Sequence, residues 1–339
     1  MRLNYGILLI IAIFMTLATP FFFNSVLSSR SAQLNTDYAN YLITATEGSV
    51  SVAYENSQNR NLLFNTASKR EKAVHVFYET LRECFNYDSS SYAEQVYYYV
   101  PCIFLIDTDG YYIEYTTEYA DDTGYAAYSE IITPINKWAK TYSSSAEGSS
   151  GGTYNVEYHL DDSISIEFKN AANQIISISG DYDEVYNKLD RPAALNVLAS
   201  YSSFYSEKTS HIINTLQAQM EYYINVHDES LNQFNNYQYQ FTLPEIAGED
   251  WARLIDMPTV VSFLQGVQTP YNNSYLNIYA FAGSEVELQY NYYVTEEADG
   301  VKYYHRGYCA LVTDDALLKP YSMKAAAMDG AFPCSVCVK

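Results

Sequence analysis

The chain is poor in charged residues, and the charge it has is mostly of one sign. Charged side chains make up 17% of its 339 residues, and 19 Lys and Arg stand against 40 Asp and Glu, which gives a formal net charge of −21. Nucleic-acid phosphates need a surface rich in Lys and Arg, and anionic lipid attracts basic segments. The composition therefore excludes a nucleic-acid partner and argues against docking on anionic lipid.

The sequence also lacks a convincing catalytic set. It contains no H-E-x-x-H pair and no phosphate-cradling Gly-rich loop. Glu245, Glu249 and Asp250 cluster beside Trp251, and paired carboxylates of this kind occur in glycosidases. Glu249 and Asp250 are, however, more typical of the acidic first turn of a helix. We predict that the protein is not an enzyme.

A long apolar run occurs only once, at the N-terminus. Arg2 is the only charged residue before Arg30, and the stretch from Gly6 to Ser29 contains the apolar run Ile7–Leu17, in which Thr16 is the single polar residue. Residues 1–29 are either a signal peptide, with small residues at Thr16 and Ala18, or a membrane anchor. Because the stretch is long enough to span a bilayer, we predict a single-pass anchor through residues 6–28. Arg2 marks the cytoplasmic end, so the rest of the chain is predicted to be extracellular.

The residues after the anchor predict an α+β fold with an antiparallel sheet and long helices. Residues 30–94 are predicted to form a helical stalk, with a capping box at Ser68–Glu71 and an apolar stripe of Val74, Phe77, Leu81 and Cys84. Residues 95–300 are predicted to form the extracellular α+β domain. Its expected strands are 96–106, 111–117, 154–158, 163–168, 174–179, 275–282 and 286–294, with a flexible linker at 143–153.

Two helices are expected inside that domain. Pro192 is placed to open a long helix that runs to about residue 235, with His227 on its apolar stripe. A second helical stretch is expected near Asp250, carrying Trp251, Leu254, Val261 and Leu264. The motif Asp107-Thr-Asp-Gly110 predicts a tight turn rather than a calcium loop, because an EF-hand needs its Gly later and further oxygen donors.

Residues 301–339 carry the most specific motif. His305 and Cys309 form an H-x3-C pair, and Cys334 and Cys337 form a C-x2-C pair shaped by Gly330 and Pro333. Two donors on each of two short turns can close a tetrahedral zinc site, which with four protein ligands is structural rather than catalytic. A disulfide among these cysteines and a redox-active C-x2-C pair remain open alternatives.

This C-terminal pattern, H-x3-C followed by Ala325-Ala326-Ala327, Gly330 and Pro333-Cys334-x2-Cys337, resembles an Ada-type metal-binding module. Such modules are appended to secreted or membrane-bound bacterial proteins, so the resemblance implies a structural zinc ion. It covers only the C-terminal end of the chain.

Most of the remaining chain resembles membrane-anchored proteins of Gram-positive tight-adherence (Tad/Flp) pilus loci. The resemblance follows the motifs Arg70-Glu-Lys-Ala-Val74, Val100-Pro-x4-Ile-Asp-x-Asp-Gly-Tyr-Tyr112, Tyr222-Tyr-Ile-Asn-x-His227 and Phe241-x-Leu-Pro244. It implies a cell-surface structural or interaction protein, a component or accessory of pilus or adhesion assembly with protein partners. The alternative is an extracytoplasmic Cache/PAS-like ligand-binding sensor that signals through a partner, which the strand–Asp-x-Asp-Gly–strand unit after a long helix also fits.

Tyrosine is the one abundant aromatic residue. The chain has 37 tyrosines, many of them in adjacent pairs such as Tyr111-Tyr112 and Tyr303-Tyr304. In a strand one member of each pair faces outward, and exposed Tyr is a favourable contact residue at protein interfaces. The alternative is that tyrosine fills amphipathic strands in a protein of low charge.

Overall fold

The computed structural model describes residues 2–55, 62–87, 95–120, 126–143, 152–170, 172–189, 198, 200–234, 240–255, 257–268, 275–283, 292–296, 300–306, 309, 311–312, 320–321, 326–327 and 329–336. Within these ranges the side chains of several residues are not described, among them those of residues 2–18, 20 and 21.

Six helices and thirteen strands are assigned in these ranges. The helices are α1 (Arg2–Glu55), α2 (Ala67–Phe85), α3 (Val96–Tyr99), α4 (Tyr182–Lys188), α5 (Tyr201–Phe234) and α6 (Gly248–Leu254). The strands are β1 (Ile103–Asp107), β2 (Gly110–Ala120), β3 (Ala126–Ile132), β4 (Trp138–Ser143), β5 (Thr153–Tyr158), β6 (Ser163–Lys169), β7 (Ile175–Asp181), β8 (Thr259–Gln268), β9 (Tyr275–Gly283), β10 (Tyr292–Glu296), β11 (Lys302–Arg306), β12 (Pro320–Tyr321) and β13 (Phe332–Pro333). The α+β class and the antiparallel sheets are confirmed.

Two segments of helix α1 lie in different surroundings. Phe22, Phe23 and Val26 are exposed, whereas Leu42 and Ala45 are fully buried against the rest of the fold. Among the residues whose side chains are described, no helix is both long and apolar enough to cross a membrane. Most of the predicted anchor, residues 6–28, belongs to the part of α1 whose side chains are not described.

The predicted stalk is not separate from the sheet domain. The second half of α1 and the apolar stripe of α2 share one core with Leu105 of β1 and Val260 of β8. The stripe itself was predicted correctly, since Val74, Phe77 and Leu81 are buried. Once these side chains form an apolar face, the sheet is the surface that covers it, so α2 and the second half of α1 form a helical layer on the sheet.

The predicted capping box at Ser68–Glu71 is wrong by two residues. Thr66 caps α2, because its backbone is extended and its hydroxyl accepts a hydrogen bond from the Lys69 N–H. A side-chain oxygen at this position pairs one of the N–H groups that the first turn leaves without an intrahelical acceptor. Ser68 already lies inside the helix.

The first sheet has the order β3-β2-β1-β8-β9, with antiparallel pairs throughout. Helices α1 and α2 cover one face, where Ile103 and Leu105 point, and Phe104 and Ile106 point into a second core on the other face. Because both faces are covered, β1 is an unbroken apolar run rather than an alternating one.

Two expected elements of this sheet were placed wrongly. The predicted strand 96–106 begins only at Ile103, because residues 96–99 form the helical turn α3. Val100 precedes Pro101, which forces an extended backbone and ends the turn. Val261 and Leu264, assigned to a helix near Asp250, lie in β8, since α6 ends at Leu254 and the β-branched run at Thr259 starts the strand.

The second sheet has the order β4-β5-β6-β7 and packs with α4 and α5. The three expected strands at 154–158, 163–168 and 174–179 correspond to β5, β6 and β7. On α5, Leu216, Met220, His227 and Leu231 are buried, so the predicted apolar stripe belongs to the internal core. Pro192, most of the linker at 143–153 and most of the expected strand 286–294 lie outside the described residues.

The turn after β1 is anchored by its first residue. Residues 108 and 109 form the predicted tight turn between β1 and β2. The buried Asp107 carboxylate accepts hydrogen bonds from the N–H groups of Leu63 at 3.0 Å, Phe64 at 2.9 Å and Thr108 at 3.1 Å. Asp107 therefore ties the connection between α1 and α2 to the centre of the first sheet.

Candidate metal centre

The metal-ligand residues lie in and beside a small third sheet of order β12-β10-β11-β13. Strands β11 and β13 pair in parallel, with Tyr303 opposite Phe332 and Tyr304 opposite Pro333. The Cys334 N–H donates to the Tyr304 carbonyl at 3.1 Å and continues this pairing. If this register is continued by one residue, His305 lies opposite Cys334.

The structure brings together three of the four predicted ligands. His305, Cys309 and Cys334 are buried, and their ligand atoms all lie within 4.8 Å of one another. In a tetrahedral zinc site with thiolate and imidazole ligands, these atoms are roughly 3.5–3.8 Å apart. Side-chain rotations that bring the ligand atoms about 1 Å closer together are therefore enough to form such a site. The three residues can hold a metal ion.

A threonine on the neighbouring strand orients the imidazole. The Thr295 hydroxyl on β10 lies 2.7 Å from Nε2 of His305. If Nε2 carries the proton and donates it to this hydroxyl, the imidazole lone pair is on Nδ1. Metal-bound histidines commonly donate their second ring N–H in this way, which fixes the tautomer and the ring orientation.

A helical turn precedes β13 and Cys334. The Ala331 N–H donates to the Ala326 carbonyl and the Gly330 N–H to the Ala327 carbonyl, both at 3.0 Å. This pair of bonds is a Schellman motif, and Gly330 takes the left-handed conformation that it requires, with φ of 81°. Gly330 therefore shapes the turn that leads into β13 and Cys334.

The fourth predicted ligand, Cys337, lies outside the described residues. The chain turns at Ser335 and Val336, directly after Cys334. Within the described part of the chain, the cysteines Cys84, Cys102, Cys309 and Cys334 form no disulfide with one another.

No protein-family model, curated protein or solved structure matches this chain. The resemblances to the Ada-type module and to proteins of Tad/Flp loci therefore remain predictions from the sequence. The metal centre rests on its own geometry.

The other candidate residues make contacts that stabilise the fold. His227 is buried, its Nε2 lies 3.1 Å from the Tyr98 carbonyl, and burial lowers its pKa to about 4. The ring is therefore neutral at physiological pH, as expected of a core histidine. Asp250 accepts a hydrogen bond from the Tyr279 hydroxyl at 2.7 Å, which ties α6 to β9, and the Glu249 side chain lies outside the described residues.

Sequence reasoning missed Thr295 as a member of the site. It lies ten residues before His305 in a Tyr-Tyr-Val-Thr-Glu run that gives no sign of a metal site. Only the pairing of β10 with β11, in which Tyr293 faces His305 and Thr295 faces Tyr303, brings the hydroxyl to the imidazole.

Proposed function

We propose that residues 301–339 form a module held together by one structural zinc ion on His305, Cys309, Cys334 and Cys337. The observation that carries this proposal is the cluster of three buried ligand-type side chains within 4.8 Å. Cys337 follows Cys334 at the spacing of a zinc knuckle. Four protein ligands leave no open coordination position, so the ion stabilises the module and takes no part in a reaction.

Protein purified without added metal is expected to contain one zinc ion per chain. The donor set of one imidazole and three thiolates prefers zinc over magnesium or calcium, which favour oxygen donors. Elemental analysis by mass spectrometry measures the stoichiometry, and intact mass under denaturing conditions reports any disulfide. If the protein is metal-free and a disulfide joins Cys309 to Cys334 or Cys337, the zinc site is wrong and a disulfide takes its place.

We further propose that the chain is a single-pass membrane protein of the cell surface that works through protein contacts, as a component or accessory of pilus or adhesion assembly. The observation that favours this is the difference between two segments of α1, because Leu42 and Ala45 are buried in the core whereas Phe22, Phe23 and Val26 are exposed. An exposed apolar helix needs an apolar environment, and residues 6–28 supply the length of a membrane span.

This arrangement gives the anchor a mechanical role. Because α1 is one continuous helix from Arg2 to Glu55, it joins the anchor to the α+β domain without a flexible linker. The domain is thereby held at a fixed distance from the membrane, which suits a structural subunit more than a tethered soluble domain. The alternative to this structural role is a ligand-binding sensor, and binding of a small ligand to the purified chain would favour it.

Intact cells are expected to expose the whole region after residue 30. Arg2 is the only charged residue before Arg30 and marks the cytoplasmic end of the span. Epitopes inserted at residue 150 and at the C-terminus should both disappear when protease is added to intact cells, while an N-terminal epitope survives. The opposite pattern, with both epitopes protected until lysis, contradicts the proposed orientation.

A further inference from the structure

A carboxyl group is buried between helix α2 and the first sheet without a positive charge beside it. Glu114 of β2 is fully buried on the sheet face that α2 covers, the same face as Tyr112 two residues before it. Its Oε2 accepts a hydrogen bond from the Tyr78 hydroxyl of α2 at 3.1 Å, and its Oε1 lies 3.5 Å from the Thr116 hydroxyl. Within the part of the chain that the structure describes, Glu114 forms no ion pair with Lys, Arg or His. A buried carboxylate without a cation is costly, so this site favours the neutral acid.

A second carboxylate on the neighbouring strand makes ionisation of Glu114 less favourable still. In the pairing of β2 with β3, Glu114 is opposite Ile132 and Thr116 is opposite Glu130. Glu114 and Glu130 are therefore diagonal neighbours on one face of the sheet. Burial, followed by the charge of Glu130, raises the pKa of Glu114 to about 8, against the opposing effect of the hydroxyls of Tyr78 and Thr116. Glu114 therefore keeps its proton at neutral pH and releases it in mildly alkaline solution.

The other titratable and charged groups around Glu114 do not offset its charge. They come from each element packed around it and are Arg70, Tyr78, Glu79 and Arg82 of α2, Tyr97 of α3, Cys102 before β1, and Glu130 of β3. Burial raises the pKa of Tyr78 and of Cys102 well above the ordinary values, so both groups are neutral. The two guanidinium groups are held by other partners, among them the Phe64 carbonyl and the Tyr97 hydroxyl.

The contact between Tyr78 and Glu114 fastens α2 to the sheet. Tyr78 is itself buried, and its ring lies 4.7 Å from the Tyr97 ring between centroids. Helix α2 packs along the second half of α1, and both share one core with the sheet. If Glu114 ionises, the closed layer encloses an unpaired charge, whereas water hydrates the same charge once α2 leaves the sheet. Ionisation therefore favours separation of the helical layer.

We propose that Glu114 is a proton-controlled latch, which holds the helical layer on the first sheet while it is protonated and releases the layer when it ionises. The geometry that supports this is a fully buried carboxyl group with hydroxyl partners and a second carboxylate beside it. Because α1 also carries the predicted anchor, the latch makes the joint between the anchor and the α+β domain respond to pH. This goes beyond the structural role proposed above and does not depend on the zinc site.

Proton linkage gives the direction of the response. The closed layer keeps the proton of Glu114 up to about pH 8, whereas a solvated glutamate releases it near pH 4.5. Opening therefore releases one proton between these values, so the opening constant rises about 10-fold per pH unit and levels off above about pH 8. Asp107, whose pKa is about 6, also titrates in the lower part of this window. The range from about pH 6.5 to about pH 8 isolates Glu114 from it.

Hydrogen exchange of the detergent-solubilised full chain tests the latch. The rates of peptides from α2 are corrected for the intrinsic pH dependence of exchange, and peptides from β5 and β6 serve as the internal reference. We expect the protection of α2 to fall about 10-fold per pH unit between about pH 6.5 and about pH 8, with a much smaller change in β5 and β6. Constant protection of α2 overturns the proposal. An equal loss in the reference peptides also overturns it, because the whole fold and not the helical layer would then be opening.

Glu114→Gln is the matched variant, because it keeps the shape of the side chain and cannot ionise. Protection of α2 should then be independent of pH across this range, and an unaltered pH dependence contradicts the latch. Glu130→Gln removes the neighbouring charge, which lowers the pKa of Glu114 and should move the response to lower pH. Glu71→Gln changes an exposed carboxyl group of the same helix and should leave the wild-type response in place.

Infrared spectroscopy of the wild-type chain gives a readout that does not depend on any variant folding. With carbon-13 in the glutamate carboxyl groups alone, the carbonyl stretch of a protonated glutamic acid is separated from all aspartic acids. Exposed glutamates are ionised at pH 7, so a labelled acid band that persists there and disappears around pH 8 supports a protonated Glu114. Absence of this band at pH 7 overturns the proposal, whatever the exchange data show.

Discussion

Replacement of Cys334 with serine is expected to release the zinc ion and unfold residues 301–339 while the two larger sheets stay folded. Zinc binding supplies roughly 10–16 kcal/mol of folding free energy to small structural sites at neutral pH, since the unfolded chain does not gather the ligands. The buried module core beyond the ligands is small, with Tyr304, Ala326 and Ala331 as its buried apolar members among the described residues. Zinc analysis and hydrogen exchange of peptides from residues 301–339, β1 and α5 measure the outcome.

Two matched variants sharpen this experiment. Ser335→Ala alters an exposed side chain directly after Cys334 and should leave both zinc content and exchange unchanged. Thr295→Val removes the hydroxyl at Nε2 of His305, and such partners typically contribute ~10–100-fold in metal affinity. Fast exchange throughout β1 and α5 in Cys334→Ser would show that the module is not a separate folding unit, and slow exchange throughout the module would show that zinc does not hold it.

Local patterns predicted the elements that local forces determine. The stripe of Val74, Phe77 and Leu81 identified α2, because one helical face is buried whatever covers it. The Asp107-Thr-Asp-Gly110 turn identified the β1–β2 hairpin, since its residues fix the backbone without help from distant segments. Both predictions use contacts within a few residues of sequence.

The wrong predictions involve apolar segments whose periodicity is ambiguous. Val96 to Ile106 is apolar and aromatic throughout, and only Pro101 marks the break between α3 and β1. Val261 and Leu264 also fit a helical stripe. They lie in β8, which is apolar on both faces because its sheet is covered on both sides. Short apolar runs do not distinguish a buried strand from a buried helix.

The candidate site was predictable in its ligands and not in its framework. The two spacings that place His305 near Cys309 and Cys334 near Cys337 are local, so the residue types alone indicated zinc. The parallel pairing of β11 with β13 joins residues about thirty positions apart, and no local pattern encodes it. Thr295 is brought to His305 by a second non-local pairing, that of β10 with β11, which is why only the structure reveals it.

Asp107→Ala is expected to destabilise the first sheet and the helical layer by roughly 3–6 kcal/mol at pH 7. The substitution removes the acceptor of three N–H groups, and each buried donor that loses its partner costs about 1–3 kcal/mol. Two of these donors, on Leu63 and Phe64, belong to the connection between α1 and α2. Urea unfolding of the detergent-solubilised full chain, followed by circular dichroism, measures the loss. Asp109→Ala, two residues away and half-buried, should cost less than about 1 kcal/mol.

The pH dependence of Asp107 provides a second, independent test. Burial raises its pKa from 3.8 to about 6, against the opposing effect of the three N–H groups. The folded state therefore keeps a proton between pH 4 and pH 6 that the unfolded state releases, so this group's contribution to stability falls as the pH rises through that window. A shift of about two pKa units corresponds to about 3 kcal/mol. Asp107→Asn keeps one acceptor oxygen and cannot ionise, so it should lose less stability than Asp107→Ala at pH 7 and flatten the profile between pH 4 and pH 6. An unchanged profile in Asp107→Asn would assign the pH dependence to other buried acids such as Glu114, whose pKa burial raises to about 8.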